Sequence, residues 1–222
     1  MLRHKRGSQE WLEFEIFQEF KDIEHAVFLR GSEPASEEGF AKPYQVHGKI
    51  VLEAVEGAGK PCDGLVTDKA GVQLLIRHAD CQAAIFYDPV KKVIANVHAG
   101  WRGQGLNIYQ EVIDQMRHKY GSKPENLFVG ISPSLGPCCA QFIHYEKELP
   151  AHFWEYQERP LYFDLWAIAQ WQLTQAGIVP SHIQVAEVCT CCNPSDYFSY
   201  RRDRVPGRNQ ATMVKKLIRV SC

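Results

Sequence analysis

Two apolar runs, residues 83–87 and 93–97, flank the segment Asp88-Pro89-Val90-Lys91-Lys92. A proline early in a short polar loop, between two runs of strand-forming residues, predicts a β-hairpin. A hairpin fixes which residues meet across it. Asp88-Pro89 lies near the midpoint between Cys81 and His98, so these two residues are expected side by side.

Around this hairpin the pattern is mixed. Residues 26–29, 49–55, 72–76, 127–131 and 183–188 read as further strands. Residues 106–120 place Ile108, Val112, Ile113 and Met116 at helical spacing, with Gly121 as a C-cap. Residues 164–176 form a second helix, with Asp164 as N-cap and Gly177 after its end. Residues 31–43 and 57–63 are loop-like, rich in Gly, Pro and polar residues. Neither loop separates two self-sufficient cores. A chain of 222 residues suits one large domain, so residues 1–222 are expected to form a single unit. Strands and helices do not alternate regularly. The expected fold class is α/β, with a mixed sheet or two packed sheets and helices outside.

Composition narrows the function. With 25 Lys+Arg against 26 Asp+Glu, no basic field covers the chain, which argues against nucleic acid as a partner. No apolar run approaches the roughly 18 residues of a membrane span. The N-terminal stretch starts basic but lacks the apolar core of a signal peptide. The expectation is a cytoplasmic protein with no membrane partner. The eight cysteines therefore read as reduced thiols with metal or catalytic roles open to some. Vicinal Cys138 and Cys139 bridge each other only under strain.

Three segments carry chemistry: Gln45-Val46-His47-Gly48, His78-Ala79-Asp80-Cys81 and Val97-His98-Ala99-Gly100-Trp101-Arg102-Gly103. Each puts a metal-binding side chain at or near the end of an expected strand, where a rigid scaffold displays it. Two imidazoles and one thiolate suit zinc, and three protein ligands leave a fourth position for water or substrate. From spacing alone, a satisfied core His and a small buried Cys remain open readings.

The motifs Asp63-Gly-Leu-Val-Thr67-Asp68, Ala79-Asp80-Cys81, His98-Ala-Gly-Trp-Arg-Gly103, Ile131-Ser-Pro-Ser-Leu-Gly-Pro-Cys-Cys139 and Cys189-Thr-Cys-Cys192 followed by Phe198-Ser-Tyr-Arg-Arg-Asp203 resemble the laccase-domain family. That family is also called multicopper polyphenol oxidase, and its members are described as purine nucleoside phosphorylases. The match runs in order from about Arg30 to Asp203. The resemblance implies one catalytic zinc per chain, held by His47, Cys81 and His98. It implies two packed mixed sheets flanked by helices in α/β/β/α layers, similar to bacterial toxin deamidases. It also implies phosphorolysis of adenosine, inosine and methylthioadenosine to free base and ribose 1-phosphate, with adenosine deamination as a side activity. Purine nucleosides and phosphate are then the partners, in a monomer or small homo-oligomer. Family members carry an early Thr-Arg-x-Gly-Gly-Val-Ser type stretch; here only Arg30 and Gly31 carry over, and Arg30 is the substrate-binding candidate from that loop.

The remaining candidates each have two readings. Asp80 either orients a ligand imidazole or serves the turn. Arg102 either grips a phosphate bidentately or forms a surface ion pair. Arg201 and Arg202, beside Tyr197, Phe198 and Tyr200, either bind an anion or support an aromatic cluster. His78 either acts as acid or base or points to the other face of its strand. Trp101 reads as packing rather than base stacking. Cys189-Thr190-Cys191-Cys192 has redox-motif spacing, but Asn193-Pro194 prevents the helix that a thioredoxin-like site would need, and a zinc ribbon would need a second C-x-x-C that this sequence lacks, so a redox or second-metal role is not the expected one. Cys138 and Cys139, after Gly136-Pro137, read as close-packed small residues.

Three rivals stand beside phosphorolysis. One is a copper-dependent polyphenol oxidase, as the family's older name says, although nine His, three Met and no His-x-His pair suit multicopper chemistry poorly. Another is a Cys-His hydrolase of amides or cell-wall peptides, with Cys81 as nucleophile. The third is a binding module with a structural zinc.

Overall fold

The computed structural model describes residues 1–34, 36–54, 59–205 and 210–217. Val55 at the end of one expected strand, the start of the expected loop at residues 57–63, and Cys222 lie outside the described residues. The strands are β1 (Leu2–Arg6), β2 (Gln9–Glu13), β3 (Ile23–Phe28), β4 (Phe40–Ala41), β5 (Val51–Glu53), β6 (Gly64–Thr67), β7 (Gln73–His78), β8 (Gln82–Asp88), β9 (Val93–Ala99), β10 (Phe128–Ile131), β11 (Gln157–Arg159), β12 (Tyr162–Phe163), β13 (Ile183–Val185) and β14 (Gln210–Lys216). The helices are α1 (Trp101–Gly105), α2 (Ile108–Tyr120), α3 (Tyr145–Glu148), α4 (Leu165–Gln175) and α5 (Tyr200–Asp203).

Two six-stranded sheets form the body. The first has the order β1-β2-β3-β14-β7-β4, the second β13-β10-β8-β9-β6-β5. Each mixes antiparallel pairs with one parallel pair, β4–β7 or β5–β6, and the second sheet adds parallel β10–β13. The expected pair of packed mixed sheets flanked by helices is what the chain forms.

The hairpin at the centre explains its own sequence. β8 and β9 are buried along their whole length. On β8, Ile85 and Tyr87 face the first sheet, packing with Val27, Leu74 and Val214. Ala84 and Phe86 face the other way, packing with Ile108, Val112 and Met116 of α2 and Leu173 of α4. A strand covered on both faces loses the polar alternation of a half-exposed one, so these runs read as continuously apolar. Burying a side chain the size of Phe86 contributes about 1.5–3 kcal/mol. The Asp88 carboxylate closes the turn by accepting from Val90 N (2.8 Å) and Lys91 N (3.0 Å). The amide of buried Asn96 ties the two sheets together by donating to Leu74 O (3.3 Å) and Thr212 O (2.8 Å).

Several boundaries differ from expectation. The helix expected over residues 106–120 is two elements. Leu106 caps α1, and Asn107, at φ 58°, breaks the path before its side chain caps α2 through Gln110 N (3.2 Å). The strand expected to reach residue 188 stops at Val185, and Glu187 turns away at φ 51°. The charged β1–β2 hairpin, and β14, gave no apolar periodicity to read. Among the described residues no helix is long and apolar enough to cross a membrane.

Candidate metal centre and cleft

β8 and β9 pair antiparallel, with Ala83 opposite His98. Cys81, just before β8, therefore sits beside His98 at the hairpin's open end. His47 reaches the same point from a loop. One donor atom from each of His47, Cys81 and His98 lies within 4.8 Å of the others, and the group could hold a metal ion. The His47 and His98 rings meet edge to face, with centroids 4.8 Å apart.

Asp63 organises this group, a role the sequence reading did not assign to it. It lies just before β6, and its carboxylate is wholly buried. One oxygen accepts from His98 Nδ1 (2.9 Å) and His47 N (2.9 Å); the other accepts from Gly48 N (2.7 Å) and Val46 N (3.3 Å). These bonds hold the His47 turn, where φ is 59°, and fix the His98 tautomer so that Nε2 remains its free donor. Burial would push the Asp63 carboxyl up, but hydrogen bonds from His98 and the turn amides hold it below the usual range. A ligand His must pass its second ring proton to some acceptor, and that chemical need is the signal that could have marked Asp63.

Two glycines of the His98–Gly103 segment are required by close approach. A Cβ on Gly100 would stand 3.1 Å from Cys81 Sγ and 3.2 Å from His47 Cδ2. A Cβ on Gly103 would stand 2.7 Å from Gly48 O, so α1 can rest directly on the His47 turn.

Protonation follows from the same contacts. Burial raises the Cys81 thiol, but hydrogen bonds to His47 and His98 outweigh it and bring it down to about 7. Burial lowers His98, and Asp63 and Cys81 outweigh that, raising it to about 9. A thiolate, two imidazoles and a carboxylate behind one of them form a donor set that fits zinc with one coordination position left for substrate.

A cleft of about 630 Å³ opens over the trio. Trp101, Leu135, Phe142 and Leu165 give it apolar walls, while Arg77, Arg102, Arg201 and Arg204 make it electropositive. Arg102 is exposed, stacks on Trp101 with its Cζ 4.1 Å from the ring, and has no carboxylate partner among the described residues. Arg201 anchors itself on Gln141 O (2.9 Å).

Residues 20–216 match the family described as multi-copper polyphenol oxidoreductase laccase.

The chain belongs to that family.

Among its laccase-family relatives, the human purine nucleoside phosphorylase LACC1 is 33% identical over 161 residues, covering 68% of this chain and 37% of that protein. Purine nucleoside phosphorylase YlmD of Geobacillus stearothermophilus is 34% identical over 151 residues, covering 64% of this chain and 55% of that protein. The chain thus aligns with roughly a third to a half of these relatives' length. The crystal structure of the Geobacillus YlmD superposes with a TM-score of 0.81 at 23% identity, covering 97% of this chain and 99% of that one. The Bacillus licheniformis YfiH structure gives 0.78 at 22% identity, covering 94% and 96%. At these identities the superpositions speak for the fold alone.

Other expected site residues of this laccase-family chain are engaged in contacts away from the trio. Asp80 lines the cleft, but its carboxylate accepts from Thr190 Oγ1 (2.7 Å) and Arg201 N (2.6 Å) and reaches neither ligand imidazole. Arg202 is outside the cleft lining. Its guanidinium donates to Thr190 O, Cys191 O and Tyr197 O and pairs with Asp203, bonds that brace the loop around it. Arg30 is also outside, lying over Phe198 and donating to Pro194 O (3.0 Å). His78 is buried, with its ring between Cys81 O (3.1 Å) and Thr212 Oγ1 (2.8 Å), and burial lowers it to about 3. Arg77, Tyr200 and Arg204 line the cleft without having been singled out as site residues, because folding alone brings them to His98.

Proposed function

We propose that this chain is a zinc-dependent purine nucleoside phosphorylase whose metal ligands are His47, Cys81 and His98. The observation carrying this reading is a His-Cys-His donor set at the floor of a cleft walled by aromatic and arginine side chains. Relatives named purine nucleoside phosphorylases, LACC1 and YlmD, agree with it. Zinc bound there would supply a Lewis acid that offsets oxyanion charge.

The chain's own residues do the rest. Arg102, without a carboxylate partner among the described residues, binds phosphate oxygens and holds them toward the anomeric carbon. Arg204 and Arg201 add positive field at the rim. Trp101, Phe142 and Leu165 exclude water and flank the nucleoside. A phosphate oxygen bonds to the anomeric carbon as the N-glycosidic bond breaks. The bonding pair leaves with the purine, which takes up a proton, giving free base and ribose 1-phosphate. Adenosine and inosine are substrates in this way, methylthioadenosine gives adenine and 5-methylthioribose 1-phosphate, and adenosine deamination is a side activity in the same cleft.

A second reading has one observation in its favour: Cys81, His98 and Asp63 also form a thiol–imidazole–carboxylate relay suited to a hydrolase. Copper-dependent phenol oxidation is less well served. Of the two metal-capable groups among the described residues, one has two imidazoles and the other none.

Purified protein incubated with adenosine decides among these. Adenine and ribose 1-phosphate should appear only with phosphate present and should vanish on zinc removal. Turnover that persists after zinc removal, and is abolished by alkylation of Cys81, would establish the hydrolase instead.

A further inference from the structure

The second metal-capable group is made only of sulfur. Cys138, Cys139, Cys189 and Cys192 place their four Sγ atoms within 4.8 Å of one another, and Cys192 Sγ is 3.5 Å from both Cys138 Sγ and Cys139 Sγ. Four sulfurs around a zinc ion at about 2.3 Å stand roughly 3.8 Å apart by tetrahedral geometry. Disulfide sulfurs stand near 2.0 Å, and the vicinal pair would bridge only under strain. The arrangement thus has the dimensions of a tetrathiolate site rather than of two bridges. We propose that these four cysteines hold a second, structural zinc ion.

The surroundings are built for such a cluster. Gly136 N–H donates to Cys189 Sγ (3.4 Å), the amide-to-thiolate bond that steadies a metal-bound sulfur. Gly136 must be glycine for the two loops to meet, since a Cβ there would lie 2.6 Å from Trp166 and 3.1 Å from Cys189 Cβ. Four thiolates around one divalent ion carry a net charge of −2. The Arg159 guanidinium is fixed beside them on Cys138 O (2.9 Å), and Arg202, its charge shared with Asp203 (2.8 Å), on Thr190 O (3.0 Å) and Cys191 O (3.1 Å). This gives Arg202 a task away from substrate.

Four protein ligands leave no open position, so the ion is a fastener and takes no part in turnover. It joins residues 136–139 to residues 189–192. Both loops are tied to Asp80, which precedes Cys81: Leu135 N donates to Asp80 O (2.8 Å) and Thr190 Oγ1 to Asp80 Oδ1 (2.7 Å). The second ion would therefore hold one wall of the cleft in place.

The test uses the full chain purified under reducing conditions after zinc loading and exhaustive dialysis. Total zinc should be two per chain, falling to one in Cys138→Ser/Cys192→Ser and to one in His47→Ala/His98→Ala. X-ray absorption on the His47→Ala/His98→Ala protein should give a sulfur-only shell at about 2.3 Å. That measurement stands even if the cysteine variant fails to fold, and it does not depend on the catalytic reading. A His47→Ala/His98→Ala protein without zinc, or with nitrogen or oxygen in the metal shell, would overturn the proposal. So would a Cys138–Cys192 disulfide in zinc-replete protein.

Discussion

Asp63 Oδ1 lies 2.9 Å from both His98 Nδ1 and His47 N, so one buried oxygen positions two members of the trio. Asp63→Asn would exchange an acceptor for an amide that cannot satisfy all four donors. Zinc affinity at the trio should fall about 10- to 100-fold, the usual cost of removing a ligand's hydrogen-bonded partner. Chelator competition at neutral pH measures it, and unchanged affinity would refute the positioning role.

Gly100→Ala would place a methyl group 3.1 Å from Cys81 Sγ. The strand and helix on either side have no need of that space, so melting temperature should change little. Zinc at the trio should be weakened and Cys81 freed for alkylation, since coordination protects a thiolate from reaction. Peptide mapping after mild alkylation reads this directly.

Arg102→Ala should raise the KM for phosphate more than that for nucleoside. A charge-assisted bond contributes on the order of 1.5–3 kcal/mol, or roughly ten- to a hundred-fold in kcat/KM. Arg102→Lys should recover only part, because a point charge cannot make the bidentate contact. Equal effects on both KM values would place Arg102 outside the phosphate subsite.

His25 supplies a pH dependence. Burial lowers its pKa to about 4, and its Nε2 already accepts from Phe14 N (2.8 Å), so that nitrogen cannot also carry a proton. The unfolded chain takes up the proton near pH 6.5, while the folded chain resists it until about 4. This group's contribution is therefore constant above pH 6.5 and is lost as pH drops toward 4, by on the order of 3 kcal/mol. Urea midpoints at pH 7 and pH 5 should differ less in His25→Gln than in the parent. Buried His78 adds a contribution of the same sign, so some slope will remain.

How much of this was readable in advance depends on the range of each interaction. The β8–β9 hairpin was legible because its apolar runs, its turn aspartate and its proline lie within one short stretch. Cys81 beside His98 followed from that hairpin; His47 stood out as a third possible ligand near a strand end, and the family resemblance joined it to the pair. Asp63 stood inside a quoted motif, yet its role depends on β6 pairing with β9, a long-range event. Arg30, carried over from the family's early loop, and Arg202, chosen for its aromatic neighbours, could not be placed from sequence, because a guanidinium suits an anion site and a loop brace equally well. Their carbonyl partners, Pro194 and Thr190, become visible only once the chain is folded.

Among the described residues β14 follows every other strand, yet it lies between β3 and β7. During translation the first sheet therefore exists as two fragments whose facing edges expose unpaired amides and carbonyls. Thr212, which bonds both His78 and Asn96, arrives with that late strand. The hairpin bearing Cys81 and His98 is consequently made before the strand that closes the sheet behind it. Nascent chains halted before residue 210 should thus engage chaperones through those open edges.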